Sequence, residues 1–364
     1  MKRLIKAFLV FSLIISALSS CLYKQPLFDE EAWRREIENQ SPDALRSPHF
    51  ANGVYFNPWS ARKHGGFGRF LRWKLSRKQD YTEEERVFLP KVIPDLKDRI
   101  ASYGQGDFIS WIGHSTFLIR IDNAYFLTDP IFSQRALLPK RKTPPAITGS
   151  QIGELAKELI VLISHNHYDH FDEDSIKDLP ENTRIIVPMG LKGFIEGMGK
   201  KYVTELDWWQ EIVLKKDIRI VCLPAQHWSR RIGQDTNTTL WASYMISTPK
   251  LKIYYAADSG YFIGYREIGR MFPSIDYALM PTTAYHPRWF MHYAHMDIKE
   301  TIDAFFDLGA KYFIPTQWGT FWLGDEPPGY PVLELQQRIK ANGLDPSRFI
   351  IMDIGEIRPL SKTR

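Results

Sequence analysis

Cysteine is scarce. The chain of 364 residues holds only Cys21 and Cys222, so at most one disulfide is available and a disulfide-built scaffold is excluded. Long internal apolar runs are missing as well, which excludes a polytopic membrane protein. Charge of one sign is also lacking. The 47 basic residues barely outnumber the 42 acidic ones, too small an excess to mark a nucleic-acid-binding surface. No internal repeat or low-complexity segment is visible. What remains is a globular chain of ordinary hydrophobic content and many aromatics, long enough for one large domain or two ordinary ones.

Residues 1–20 read as a leader rather than as part of the fold. Lys2, Arg3 and Lys6 form a positive start, Ala7 to Leu18 is apolar, and Leu18-Ser19-Ser20-Cys21 follows, the layout of a bacterial secretory signal. This ending resembles a lipobox, which implies that Cys21 becomes the acylated first residue of a lipoprotein. The alternative is an uncleaved signal anchor, since Leu22 and Tyr23 extend the apolar run. Both readings place the domain outside the cytoplasm, tethered to a membrane. Without the three basic leader residues, 44 basic residues face 42 acidic ones, and the exported location argues further against a nucleic-acid partner. An acylated Cys21 leaves Cys222 alone, in the expected strand Ile218 to Leu223, as a buried small hydrophobe.

Residues 21–105 form an N-terminal extension with weak strand signals. Asp29 to Glu38 reads as a helix, and Glu83 to Ile100 as a helix broken at Pro90 and Pro94. Between them, Phe67, Arg69, Phe70, Arg72, Trp73, Lys74, Arg77 and Lys78 interleave cations with rings. That mixture suits either a phospholipid surface or a helix whose aromatics pack on the core. From residue 106 to 364 the pattern is strand-rich. Phe108 to Trp111, Phe117 to Ile121 and Ala124 to Leu127 read as a meander, with Asp122-Asn123 as a tight turn. Further strands are expected at Ile160 to Ile163, Arg184 to Val187, Ile218 to Leu223, Ala242 to Ser247, Lys252 to Ala256, Tyr277 to Met280 and Tyr312 to Ile314. Helices are expected at Gln151 to Glu158, Leu191 to Met198, Ile298 to Leu308 and Val332 to Asn342. Strands mixed with helices in this way predict an α/β protein in which two packed sheets are covered by helices.

The chemistry concentrates in His165-Asn166-His167-Tyr168-Asp169-His170, directly after the apolar run Leu159 to Ile163. On a strand His165, His167 and Asp169 share a face, and a turn beginning here would bring His170 round to a second position. Neutral imidazoles beside a carboxylate suit a hydrolytic zinc site. Such a site needs more ligands, and three candidates follow later apolar runs: His227, Asp258 and Gln317.

H-x-H-x-D-H followed by a single His and a single Asp, each after a strand, resembles the metallo-β-lactamase superfamily. The segments Trp111-Ile112-Gly113-His114-Ser115-Thr116, Leu127 to Ser133, Pro224 to Trp228, Pro287 to Met291 and Trp318-Gly319-Thr320-Phe321 narrow it. They resemble the family of N-acyl-phosphatidylethanolamine-hydrolysing phospholipases D, over roughly residues 50–358. The resemblance implies an αββα four-layer sandwich. One zinc would be held by His165, His167 and His227, a second by Asp169 and His170, and Asp258 would bridge them. In this family the last ligand is a His before Trp-Gly-Thr-Phe, and here it is Gln317. An amide oxygen is a weaker zinc ligand than imidazole, so the second site is expected to be weaker, differently populated or completed by water.

The resemblance further implies attack on phosphorus by a metal-activated water, oriented by Asp169, giving phosphatidic acid and N-acylethanolamine. The partners are a phospholipid substrate and a membrane surface, and relatives can form homodimers around a lipid groove. His295 is a candidate substrate or proton contact. His114 reads as a buried structural residue or a partner of the metal ligands. Asp129 reads as a turn residue or an acceptor for a ligand His. His286 and His292 read as structural or as pocket rim, and His49 and His64 as surface residues. Trp289, Phe290 and Met291 line an acyl pocket or pack the core. A lactonase or other esterase on the same fold, and a non-catalytic zinc-binding lipoprotein, remain as alternatives.

Overall fold

The computed structural model describes residues 24–62 and 66–360. The leader, Cys21 and His64 lie outside the described residues. Two mixed sheets dominate. The first has seven strands in the order β15-β3-β4-β5-β6-β7-β8. In chain order these are β3 (Phe108–Gly113), β4 (Thr116–Ile121), β5 (Ala124–Thr128), β6 (Leu159–Leu162), β7 (Arg184–Pro188), β8 (Tyr202–Leu206) and β15 (Ile357–Pro359). The second has six, in the order β14-β13-β12-β11-β10-β9: β9 (Glu211–Val213), β10 (Arg219–Leu223), β11 (Ser243–Ser247), β12 (Lys252–Tyr255), β13 (Tyr277–Pro281) and β14 (Tyr312–Thr316). A small hairpin, β1 (Phe50–Ala51) and β2 (Val54–Tyr55), lies apart from both.

Strand periodicity explains the layering. Along β3 to β7, Ile109, Trp111, Phe117, Ile119, Phe126, Ile160, Leu162 and Ile186 enter the core between the sheets. The alternate residues Phe108, Ile112, Leu118, Leu127, Val161, Ile185 and Val187 enter a second core on the outer face. Both faces of the sheet are therefore covered, and the strands read as continuous apolar runs. Helices α4 (Leu96–Ser102), α5 (Gly149–Leu155), α6 (Glu173–Asp178) and α7 (Lys192–Gly197) supply that outer cover through Leu96, Ile100, Ile152, Ile176 and Ile195. The second sheet is covered by α8 (Gly264–Met271), α10 (Ile298–Asp307) and α11 (Tyr330–Ala341). Between α8 and α10 lies the short α9 (Arg288–Met291). Asp297 starts α10 through a capping box with Glu300, which satisfies two of the backbone donors left open at the helix start. The expected αββα sandwich is the fold.

Local chemistry accounts for the turn between β4 and β5. Asp122 and Asn123 have φ of 50° and 66°, the pair of positive values that a type I′ hairpin turn requires. Over Glu83 to Ile100 the helix breaks as expected, into α3 (Glu83–Val87) and α4, with Pro90 and Pro94 between them. The sequence reading did not anticipate β1, β2, β8, β9 or β15. Most of these are two or three residues long, too short to display a period.

The N-terminal residues are anchored in the main core. Trp33 and Ile37 of α1 (Glu30–Glu38) are buried there together with Leu45, Tyr55 and Trp59. His49, expected at the surface, is instead half-buried. Its Nε2 lies 2.7 Å from Asp207 Oδ1 and its ring stacks on Trp208 at 4.3 Å. Trp33 is 1% exposed and its indole N–H donates to Glu300 Oε1 at 2.8 Å. Trp33→Ala is expected to cost about 3–5 kcal/mol, read as a lower denaturation midpoint in urea. An unchanged midpoint would show that this segment is not integral to the fold.

Candidate metal centre

The metal motif begins where β6 ends. Backbone bonds from Ile163 N to Ile186 O, 3.0 Å, and from Ala242 N to Ser164 O, 2.9 Å, hold this strand end between the two sheets. The chain then turns. The His167 carbonyl accepts from the N–H groups of His170, 3.1 Å, and Phe171, 2.8 Å, which swings His170 back beside His165 at a ring separation of 4.3 Å. His227 follows β10, Asp258 follows β12, Gln317 follows β14, Asp129 follows β5, and His114 sits in the turn from β3 to β4. Strand ends from both sheets thus meet at one edge.

Two overlapping sets of donor atoms result. In the first, His165 Nε2 lies 2.8 Å from His167 Nδ1, and His227 Nε2 lies 3.2 Å from the same atom. Asp258 Oδ2 lies 3.7 Å from His165 Nε2 and 3.5 Å from His227 Nε2. With metal–nitrogen bonds of about 2.0–2.1 Å, a tetrahedral site has donor–donor edges of roughly 3.3 Å, and the four separations scatter about that value. In the second set, His170 Nε2 lies 3.3 Å from Asp258 Oδ1 and 3.4 Å from Asp169 Oδ2. The residues expected as ligands are therefore brought together, with the two Asp258 oxygens facing one set each.

The tautomers follow from what the outer ring nitrogens touch. His227 Nδ1 meets the Ala294 carbonyl at 3.1 Å, and His170 Nδ1 meets Asp129 Oδ2 at 2.6 Å. His165 Nδ1 meets Ser164 Oγ at 2.8 Å, and that hydroxyl gives its own proton to Asp129 Oδ2 at 2.5 Å. Each Nδ1 therefore carries a hydrogen; Nε2 of His165 and of His227 turns a lone pair to the centre, as would that of His170 on yielding its second hydrogen to a metal. His170 Nε2 makes no hydrogen bond although fully buried. Imidazoles and carboxylates converging on one point call for a cation, and a three-imidazole, one-carboxylate set suits a divalent metal. The residues present fit such an ion.

The electrostatics agree. Burial, reinforced by the neighbouring imidazoles, drives His165 well below the usual histidine value. Burial likewise brings His167 down to about 4, so these rings are neutral at ordinary pH. Burial alone would also raise Asp258 and Asp169, but the adjoining histidines outweigh it and hold both carboxyls well below their usual range. Around His170 burial pushes down, yet Asp258, Asp169 and Asp129 outweigh it and pull the ring well up. The His170 side is thus the more anionic half.

Gln317 turns its amide Nε2 toward Asp258 Oδ1, and its buried Oε1 has no partner. His114, left open between two roles by the sequence, is at the centre, with Nε2 3.0 Å from Asp169 Oδ2. Asp129 is an acceptor for His170. His295 is close behind, its ring 5.3 Å from His227. His286 and His292 are structural: His286 Nδ1 pairs with the Tyr81 hydroxyl at 2.8 Å, and His292 packs on Phe28 and Trp33.

The sequence reading gave no role to Asn57 and Trp59, which brace the His227 segment. Asn57 Nδ2 donates to the His227 carbonyl at 3.0 Å, and Trp59 Nε1 donates to Gln226 Oε1 at 3.0 Å. Their only signal was an isolated Asn-Pro-Trp in a region of weak periodicity. Four non-glycine residues of the site sit at positive φ: His114 (52°), Asp129 (31°), Ala257 (54°) and Gln317 (75°). Backbone strain of this kind gathers where a structure over-determines functional side chains.

The centre is the floor of a cavity of about 1250 Å³. His167, Asp169, Asp258 and His295 face it from below, and Phe67, Phe70, Trp228, Ile232, Phe290 and Met291 form walls. Helix α2 (Phe67–Leu75) divides its aromatics. Trp73 is buried against Trp289, Phe290 and Met291, while Phe67, Phe70, Leu71 and Leu75 are exposed.

A family model for the beta-lactamase superfamily domain matches residues 124–318. The chain belongs to the metallo-β-lactamase superfamily. Within it the chain is 32% identical over 276 residues to the N-acyl-phosphatidylethanolamine-hydrolyzing phospholipase D 1 of Caenorhabditis elegans, spanning 69% of this chain and 75% of that protein. It is 36% identical over 232 residues to the mitochondrial N-acyl-phosphatidylethanolamine-hydrolyzing phospholipase D of Saccharomyces cerevisiae, 60% of this chain and 48% of that protein. These relatives place it in the family of phospholipase D-like members of the superfamily. A solved structure of a possible metal-dependent hydrolase from Veillonella parvula superposes with a TM-score of 0.59 at 15% identity, covering 71% of this chain and 100% of that one, a likeness of fold. The protein is a metal-dependent hydrolase of this family.

Two measurements test the surroundings of the centre and of its cavity. Asp129→Asn is expected to weaken metal binding about 10–100-fold in a chelator competition, and an unchanged affinity would remove Asp129 from this role. Glu326, 1% exposed, accepts from the N–H groups of Tyr285 and His286 beside the cavity residue Ala284. Burial raises its carboxyl from 4.5 to about 7. A carboxyl raised on folding adds stability below its unfolded value, and that stability is lost as pH rises through 7, by about 3 kcal/mol in all. Glu326→Gln should flatten the fall in unfolding free energy between pH 5 and 8, and an unaltered slope would contradict this.

Proposed function

We propose that the protein is a zinc-dependent phosphodiesterase of the phospholipase D type, converting N-acyl-phosphatidylethanolamine to N-acylethanolamine and phosphatidic acid. The observation that carries this reading is the cavity. A metal centre able to hold two ions lies at the bottom of a space of about 1250 Å³, larger than the ~300–1,000 Å³ of ordinary small-molecule sites and walled by apolar side chains. A soluble polar substrate has no use for such walls, whereas acyl chains do. The relatives named for this activity support the same substrate class.

His165, His167, His227 and Asp258 would hold one zinc, and Asp169, His170 and Asp258 a second. Bound there, the ions supply Lewis acidity toward phosphoryl oxygens and a water acidified to near neutrality. The protein's own groups do the rest. Asp258 spans both donor sets and fixes their spacing. Asp169, only partly buried at 15% side-chain exposure and facing the cavity, orients the nucleophile. His295, kept neutral by burial and with Nδ1 unpartnered, is placed to contact a phosphate or leaving-group oxygen. Phe290 and Met291 keep water from the acyl side.

The exposed Phe67, Phe70, Leu71 and Leu75, interleaved with Arg69, Arg72 and Lys74, suit a lipid headgroup layer at the cavity mouth. No helix of the described residues is long and apolar enough to cross a membrane, and acylation of Cys21 is the tether we propose, on the exported side. The test is incubation of the purified protein with N-acyl-phosphatidylethanolamine, with and without chelator, and identification of products by mass. Chelator-sensitive release of N-acylethanolamine with phosphatidic acid is expected. Its absence, or diacylglycerol as the lipid product, would sink the proposal.

A further inference from the structure

The two donor sets are unequal. The first has four protein donors, three of them imidazoles. The second has His170 Nε2, Asp169 Oδ2 and Asp258 Oδ1, only three. Gln317 lies against it, but the atom it turns to Asp258 Oδ1 is its amide nitrogen, a donor with no lone pair for a metal, and its Oε1 is the atom directed elsewhere.

We propose that His114 supplies the missing donor, so that the second metal is held by His114, Asp169, His170 and Asp258. The ligand atoms of His114, Asp169 and His170 all lie within 4.8 Å of one another. His114 Nε2 lies 3.0 Å from Asp169 Oδ2, beside the edges of 3.4 Å and 3.3 Å that His170 Nε2 makes with Asp169 and Asp258. These three separations approach the roughly 3.3 Å edge of a tetrahedral site built on bonds of about 2.0–2.1 Å. The other ring nitrogen, Nδ1, lies 3.4 Å from the main-chain carbonyl of Gln317. A carbonyl only accepts, so this contact favours the hydrogen on Nδ1 and leaves a lone pair on Nε2, the same tautomer that His165 and His227 adopt.

The ring is also locked. His114 is fully buried. Its main-chain N–H donates to Thr320 Oγ1 at 2.8 Å, and its carbonyl accepts from Gln317 N at 3.0 Å and from the Trp111 indole at 2.8 Å. The ring itself is wedged between His170, 5.4 Å, and Phe321, 5.2 Å. Such restraint is what a ligand requires, because a mobile ring would lose affinity to entropy on binding. Gln317 then acts as a positioning residue: its side chain orients Asp258, and its carbonyl sets the tautomer of His114.

The inference rests on the two-metal reading, and the experiment separates the two. Zinc content is measured by mass spectrometry of the intact, folded protein across a graded chelator series. Wild type is expected to hold two equivalents, His114→Ala one, and Gln317→Ala two. The double variant His114→Ala, Gln317→His is expected to regain the second equivalent, since it returns an imidazole to the same site. One equivalent in wild type would overturn the two-metal reading and this inference with it. Two in wild type and two in His114→Ala would overturn the inference alone, as would loss of the second ion in Gln317→Ala. If His114→Ala fails to fold, anomalous diffraction from zinc-loaded wild type decides. His114 Nε2 at about 2.0–2.1 Å from the second ion supports the proposal, and a ring that instead donates its Nε2 hydrogen to Asp169, off the metal, overturns it.

Discussion

One buried carboxylate ties the two sheets to the metal centre. Asp129, at the end of β5, accepts from Ser164 N and Ser164 Oγ at the end of β6, from His170 Nδ1 in the motif turn, and from the Tyr255 hydroxyl on β12 of the opposite sheet. A buried anion without partners would be strongly destabilising. Four donors remove that penalty, and in doing so they fix three elements relative to one another. The carboxylate also holds the hydrogen on His170 Nδ1 directly, and on His165 Nδ1 through Ser164. The sandwich and the tautomers of its ligands are therefore one arrangement.

Much of this was legible in the chain. The strands that matter for the site, β3 to β6, β10, β12 and β14, are apolar on both faces because both faces are covered, and such runs stand out. The ligands stand out because they fall where those runs stop. What could not be read was contact between segments distant in sequence. His114 and Asp169 are 55 positions apart, and nothing in Gly113-His114-Ser115 says which carboxylate the ring meets. Asn57 and Trp59 belong to a stretch without periodicity, and their role depends wholly on donors reaching across to residues 226 and 227. The doubt over residues 67–78 had a physical origin too: α2 buries one face through Trp73 and exposes the other, so its composition fits no single environment.

The two halves of the centre differ in kind. The side of His165, His167 and His227 is rich in neutral nitrogen, and burial keeps it so. The side of His170 is crowded by carboxylates. A neutral, nitrogen-rich cage selects for borderline ions such as zinc, while an oxygen-rich one is more permissive. Gln317 brings no imidazole to that half: its amide faces Asp258, so nitrogen donors there come from His170 and from any further histidine nearby.

The donor atoms come from strand ends scattered along the chain, with 203 positions between His114 and Gln317. Closing loops of that length is entropically unfavourable until the intervening contacts are made. No short fragment of the chain presents more than the H-x-H-x-D-H cluster, so the full set exists only once both sheets have docked. The complete donor set is thus a property of the finished topology, and a chain that docks its sheets wrongly keeps the motif but not the site.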